Sequence, residues 1–341
     1  MRVEVSVVSV FLSHPQPMLD MYYGQRALAA LREIADVRLN PAAHDLPTPR
    51  LIDAAHDCDV LIAYRQTPAP AALFAALPRL AAFVRCAMDI RTVDVDAASG
   101  VGVLVTRASA GFQAAVAEWI VAMAINLGRS LVQQAASYHR GGLPEPQMGR
   151  ELRGATVGII GYGAIGQRFG ELALALGAQL LVHTPEPVAA RDRVTPVPLD
   201  ALLAAADFVV CLAPAIPETA QMMNARAFAT MKPGAFFINA SRGELVDEAA
   251  LLAALDGGRL GGCALDVGMA PDQTPSLQLA RHPRVIATPH VGGLTPPAIE
   301  HQALETVEQL RSMLQGRAPV GAVNAERATR WQRLAADTPA R

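Results

Sequence analysis

Aromatic side chains make up only 5% of this chain, and its charges nearly cancel, to a formal −2 at pH 7. So small an imbalance creates no general field to gather nucleic acid or an anionic membrane; neither partner is expected, and a charged ligand must be met by a few placed side chains. Cysteine is scarce as well. Cys58, Cys86, Cys211 and Cys263 stand far apart with no Cys-x-x-Cys pair, which argues against a structural zinc site or a redox dithiol and suits a reducing cytoplasm. No metal is expected. No run of about 18 apolar residues is free of charge, so no membrane span is expected either. The apolar stretch Val3–Leu12 resembles a short signal-peptide core, but Glu4 inside it and Pro15 after it read better as a first strand.

What is present is length and apolar content: 341 residues, 52% hydrophobic, enough for two domains with their own cores. Short strand-like runs alternate with Ala/Leu-rich helical stretches, the pattern of parallel sheets covered by helices on both faces. Val3–Leu12, Val60–Ala63, Ala82–Arg85 and Val103–Thr106 read as strands, with helices at Gln25–Ala35 and Ala69–Leu77. One long helix is expected over about Ala115–Tyr138, followed by a Gly/Pro-rich loop from Gly141 that composition alone marks as a linker. A second series has strands at Thr156–Ile160, Leu180–Val182, Phe208–Leu212, Ala235–Asn239, Cys263–Asp266 and Val285–Ala287. Thr295 should cap a last helix starting at Pro296, with Ile299, Ala303, Val307, Leu310 and Leu314 as its buried stripe. After Gly316 the chain turns polar and is expected to lie on the surface.

Gly161-Tyr-Gly-Ala-Ile-Gly166 directly follows a buried strand and opens a helix. In that context Gly161 permits a tight turn, Gly163 lets the backbone approach a pyrophosphate, and Gly166 allows close helix–strand packing. The free N–H groups of the helix start, around Ala164 and Ile165, suit phosphates. An acidic residue usually closes the next strand and takes the ribose 2′-hydroxyl of NAD. Here that strand runs Leu181-Val-His-Thr-Pro-Glu-Pro187, which leaves neutral Thr184 in the place, Arg191 and Arg193 beyond it, and Glu186 as a displaced carboxylate. NAD and NADP both stay open.

Two later strands end in candidate catalytic residues. Ala235–Asn239 runs into a loop holding Arg242, whose planar fork suits a carboxylate and a neighbouring carbonyl oxygen. Val285–Ala287 leads to His290, placed to give or take a proton near neutral pH. In open parallel sheets the carboxyl ends of strands face the ligand crevice.

At these residues the chain resembles the D-isomer-specific 2-hydroxyacid dehydrogenases, which include phosphoglycerate, hydroxypyruvate/glyoxylate and formate dehydrogenases. The resemblance runs from about Val60 to Val323. It rests on Glu151-Leu-Arg-Gly-Ala-Thr-Val-Gly-Ile-Ile-Gly-Tyr-Gly-Ala-Ile-Gly-Gln167, Pro217-Glu-Thr219, Met231-Lys-Pro-Gly-Ala235, Asn239-Ala-Ser-Arg-Gly243, Ala264-Leu-Asp-Val267 and Thr288-Pro-His-Val-Gly-Gly293, with Val116-Ala-Glu118 on a crossover helix. It implies an α/β protein of two doubly wound parallel-sheet domains, a Rossmann cofactor domain (107–295) inserted into a flavodoxin-like substrate domain (1–106 and 296–341). The boundary then falls near Thr106 rather than at Gly141. The implied activity is hydride transfer between NAD or NADP and a small 2-hydroxy or 2-keto acid, in a homodimer. Arg242 would orient the carboxylate and polarise the C2 oxygen, and His290 would exchange the proton. Asp266 would hold the nicotinamide carboxamide, with Ala213, Pro214, Ala240, Gly292 and Gly293 lining the cofactor.

The chain departs from this family in the partner of the histidine. A glutamate usually stands five residues after the aspartate at 266; here that position is Pro271, and Asp272 beside it is the candidate replacement, with Gln273 a weaker one. A second departure is the substrate loop. Usually glycine-rich, it reads Cys86-Ala-Met-Asp-Ile-Arg91, so Ala87, Met88, Asp89 and Arg91 would border the substrate, with Arg65 on an earlier loop. A nicotinamide-sensing regulator on the same scaffold, like some co-repressors, is the alternative reading.

Overall fold

The computed structural model describes residues 8–336. All its strands pair in parallel, in two sheets. The first has five strands: β1 (Ser9–Leu12), β2 (Asp36–Leu39), β3 (Val60–Ala63), β4 (Ala82–Arg85) and β5 (Leu104–Arg107), in the order β2-β1-β3-β4-β5. The second has seven: β6 (Thr156–Ile160), β7 (Gln179–His183), β8 (Val194–Pro196), β9 (Phe208–Cys211), β10 (Ala235–Asn239), β11 (Leu260–Leu265) and β12 (Val285–Ala287). Their order is β12-β11-β10-β9-β6-β7-β8. Every residue of β3, β4 and β9 is buried, the near-continuous apolar run expected of a strand covered on both faces.

The chain divides into two compact units, the described part of Met1–Gly111 with that of Pro296–Arg341, and Phe112–Thr295. The first unit carries the five-stranded sheet. One face packs the helices Gln25–Arg32 and Pro296–Leu314, and the other packs Leu51, Leu73, Phe74 and Leu77. The second unit carries the seven-stranded sheet between Leu202, Phe228 and Leu251 on one face and Ile120, Phe169 and Ala173 on the other. Both strand orders reverse direction once, between β1 and β3 and between β6 and β9. Outside the carboxyl ends at such a switch point, doubly wound sheets leave a crevice.

Several expectations need correction. The long helix is two, Gln113–Arg129 and Leu131–His139, bent by 71° at Ser130, which takes a left-handed φ of 51°. The carbonyl of Gly128, which a continuing helix would use, instead accepts from Arg150 N at 2.7 Å. No single helix among the described residues is long and apolar enough to cross a membrane, though this bent pair passes by length and composition together. The Gly141 loop lies within the second unit and returns the chain to β6, so its Gly/Pro content marks a turn inside one unit. The C-terminal stretch also differs from the surface tail expected. Ala328, Trp331 and Leu334 are buried in the first unit's core, and Asn324 bonds β5 through Val105 N at 2.8 Å. Strands β2 and β8 lie in polar or proline-bearing sequence that gives no strand signal. The part of the first expected strand before Val8 lies outside the described residues.

Candidate active site

In the second unit β6 ends at Ile160, and Gly161 turns the chain at φ 91°. A Cβ on Gly161 would lie 2.6 Å from the carbonyl carbon of Leu212, and one on Gly166 would lie 2.5 Å from the Gly161 oxygen. Only glycine allows these approaches. A Cβ on Gly163 would meet nothing within 4 Å, so this turn faces open space beside the start of the helix Ala164–Ala175, whose first turn has no side-chain cap. Free N–H groups, a helix start and room for a bulky anion together fit a dinucleotide pyrophosphate. Thr184 follows β7, and Gly161 N bonds the carbonyl of His183 at 2.8 Å, so the glycine turn and the β7 end are held together. Ala213 and Pro214 follow β9 across the switch point, where their carbonyls accept from the hydroxyls of Ser241 and Thr219.

Arg242 sits three residues past β10. Asn239, almost fully buried, braces this turn: its amide donates to the Arg242 carbonyl (2.9 Å) and its oxygen accepts from Ser241 N (3.1 Å). Ala240 lies inside this braced turn. The Arg242 guanidinium donates to the carbonyl of Ser241 at 2.7 Å. A Cβ on Gly243 would come 2.3 Å from the backbone of Gly268, so the turn after β10 packs flat on the loop after β11.

His290 follows β12 in a left-handed conformation, φ 57°. Asp266 holds that turn, because its carboxylate accepts from Thr288 Oγ1 (2.6 Å), Val291 N (2.8 Å) and Gly292 N (2.7 Å). The expected role of Asp266 toward a carboxamide therefore competes with a structural one visible here: it shapes the segment that carries His290, Gly292 and Gly293. Nδ1 of His290 lies 3.3 Å from the main-chain carbonyl of Asp272. A carbonyl only accepts, so Nδ1 carries the proton in that contact and Nε2 is then the basic ring nitrogen. Asp272 and Gln273 both have φ 58°, and Gly268 N bonds the Gln273 carbonyl at 2.8 Å, which pins the loop. Thus Asp272 does meet His290, through a main-chain atom that a side-chain reading does not anticipate.

The substrate-side candidates lie in the first unit, at the carboxyl edge of its sheet. Arg65 follows β3 and stands over the Tyr22 ring, 5.6 Å from its centroid. Ala87, Met88, Asp89 and Arg91 follow β4, and Asp89 accepts from the Arg91 guanidinium (2.9 Å) and main-chain N (2.9 Å). Sequence reasoning misses Asn239 and Ser241, which look like strand-end filler, and it misses Arg85, which looks like the end of an apolar run.

A parallel-sheet unit with a glycine turn at its switch point, and an arginine and a histidine after β10 and β12 on either side of β11, is a nicotinamide-dinucleotide enzyme scaffold. Residues 121–292 match the family model described as "D-isomer specific 2-hydroxyacid dehydrogenase, NAD binding domain", and the chain belongs to that family. It is 35% identical over 281 residues to a D-3-phosphoglycerate dehydrogenase of Mycobacterium tuberculosis, covering 81% of this chain and 53% of that one. The chain thus spans about half the length of the curated relatives it matches. Among solved structures, the TT0316 protein from Thermus thermophilus superposes with a TM-score of 0.84 at 29% identity, over 93% of this chain and all of that one. D-lactate dehydrogenase from Aquifex aeolicus, complexed with NAD and lactic acid, gives 0.73 at 26% identity, over 94% and 97%.

Proposed function

We propose that the protein is an NAD- or NADP-dependent dehydrogenase of a small D-2-hydroxy acid, or reductase of the matching 2-keto acid. The observation that carries this is the His290 turn. Asp266 fixes its backbone and the Asp272 carbonyl orients its Nδ1 at a strand end facing the carboxyl edge of the sheet. The bound nicotinamide supplies or accepts the hydride. The residues do the rest. Arg242 holds the carboxylate and draws electron density toward the C2 oxygen, while His290 delivers a proton to that oxygen, or removes it in the reverse direction. Gly161, Gly163, Ala164, Ile165 and Gly166 hold the pyrophosphate, Thr184 meets the adenosine ribose, and Ala213, Pro214 and Ala240 line the cleft. In this reading the first unit is the substrate domain, presenting Arg65, Ala87, Met88, Asp89 and Arg91. Purified protein with NADH or NADPH and a panel of 2-keto acids tests the assignment. Turnover of at least one acid supports it; cofactor binding without turnover of any would favour the nicotinamide-sensing alternative.

The same reading includes a homodimer through the second unit. Ile125, Leu131, Val132, Tyr138, Leu143 and Met148 are all exposed along one stretch of chain, apolar side chains that an isologous contact would cover. Sedimentation should give a dimer for the wild type and a monomer for Leu143→Asp combined with Tyr138→Asp. A reducing compartment such as the cytoplasm completes the reading, in keeping with four free, buried cysteines.

A further inference from the structure

We propose that Arg85 is a buried positioning residue that shapes the substrate-side edge of the first unit and makes it select anions; the inference rests on the dehydrogenase reading above. Arg85 ends β4 and is the largest fully buried side chain among the described residues. One guanidinium nitrogen, Nη1, donates to the carbonyls of Tyr64 (2.6 Å) and Arg65 (2.9 Å). The other, Nη2, donates to the carbonyl of Thr67 (2.8 Å) and to Thr92 Oγ1 (2.9 Å). Three of the four residues in the turn after β3 therefore have their carbonyls drawn to one fork. Thr92 brings in the loop after β4, which Ala69 N also bonds through the Thr92 carbonyl at 3.0 Å. The two loops that carry Arg65 and the segment Ala87–Arg91 are fastened to each other through Arg85.

Its charge matters as much as its shape. All four acceptors are neutral, and Nε has no hydrogen-bond partner among the described residues; Asp89 and Asp45 act on the guanidinium only through space. Burial lowers its pKa to about 10, so it stays protonated at neutral pH. His14, just past β1, is buried against Tyr23 and Tyr64, and neither ring nitrogen completes a hydrogen bond among the described residues. Burial foremost pushes its pKa down to about 3, with the charge on Arg85 adding to the fall and the nearby Tyr22 main chain opposing it. The cluster therefore holds one permanent positive charge beside a neutral imidazole, at the β1/β3 switch point of the sheet. A buried cation whose hydrogen bonds reach no carboxylate favours an anion brought close to it. In the reading above that anion is the substrate acid.

The test compares Arg85→Gln, Arg85→Lys and Thr92→Val with wild type. It reads KM and kcat for the best 2-keto acid, the cofactor Kd, the melting temperature, and calorimetric binding of oxamate against neutral oxamide. Arg85→Gln should raise KM by about 10- to 100-fold, the worth of hydrogen bonds to a charged group, and narrow the preference for oxamate, with cofactor Kd near wild type. Arg85→Lys keeps the charge and loses the fork, so KM should rise while the oxamate preference persists. Thr92→Val should raise KM less, in the same direction. A lower melting temperature with unchanged KM and unchanged oxamate preference would reduce Arg85 to a structural residue. If Arg85→Gln does not fold, unchanged values in both other variants overturn the proposal. A wild type that binds oxamate but reduces no 2-keto acid would sink the dehydrogenase reading, while the oxamate preference would still decide the role of Arg85.

Discussion

The two switch points of this molecule are built by opposite means. At β6/β9 the second unit makes its crevice by leaving atoms out: glycines at 161, 163 and 166 bring backbone within reach of a ligand, and the helix start offers bare N–H groups. At β1/β3 the first unit makes its edge by burying a full guanidinium and an imidazole beneath the loops. The first device depends on the main chain and tolerates any ligand with the same phosphates. The second depends on side-chain chemistry and can be retuned one residue at a time. A shared cofactor and a variable substrate call for that division.

The comparison can be broken first at His290, the proposed proton-transfer residue. His290→Ala should lower kcat by about 10²–10⁴-fold, the usual worth of general acid–base catalysis, with cofactor affinity retained; near-full turnover would remove His290 from the mechanism. Arg242→Lys comes next. It keeps the charge and loses the bidentate fork, so kcat/KM should fall by about 10- to 100-fold; intact kinetics with lower thermal stability would make Arg242 a surface residue. Gly166→Ala probes the glycine device directly. Its Cβ would press on the Gly161 carbonyl, so cofactor Kd should rise by about tenfold, for about 1.4 kcal/mol of strain and displaced phosphate contacts, while the preference for oxamate over oxamide stays unchanged. Asp272→Asn should have the smallest effect, because the main-chain carbonyl that meets His290 Nδ1 is retained in the variant. A fall in kcat as large as that of His290→Ala would return the role to the carboxylate.

The same contrast explains what can be read from the sequence. β4, β6, β10 and β12 stand where their apolar runs place them, and the glycine turn is legible because each glycine answers a backbone constraint that no other residue meets. β2 is not legible, because Asp36-Val-Arg-Leu39 has half-exposed residues and no apolar run. The break at Ser130 is hidden because its cause, Arg150 bonding the Gly128 carbonyl, lies twenty residues further on in sequence. Arg242 and His290 are legible as polar residues after buried strands. Arg85 is not, because burial of a guanidinium is decided by carbonyls at 64, 65 and 67 that carry no side-chain signature. Asp272 is legible as a partner of His290, but its main-chain carbonyl, which makes the contact, is not.

The bonds of Asn324 to Val105 of β5 and to Val103 just before it span 219 and 221 positions of sequence, and they bear on the order in which the chain acquires structure. Synthesis delivers the N-terminal part first, yet the five-stranded sheet lacks the helix Pro296–Leu314, Trp331 and Leu334 until synthesis has passed residue 334. Phe112–Thr295 is continuous and holds both faces of its own core. The second unit can therefore form while the first still waits for its cover, and the late closure of so large a loop should set the slow step of refolding.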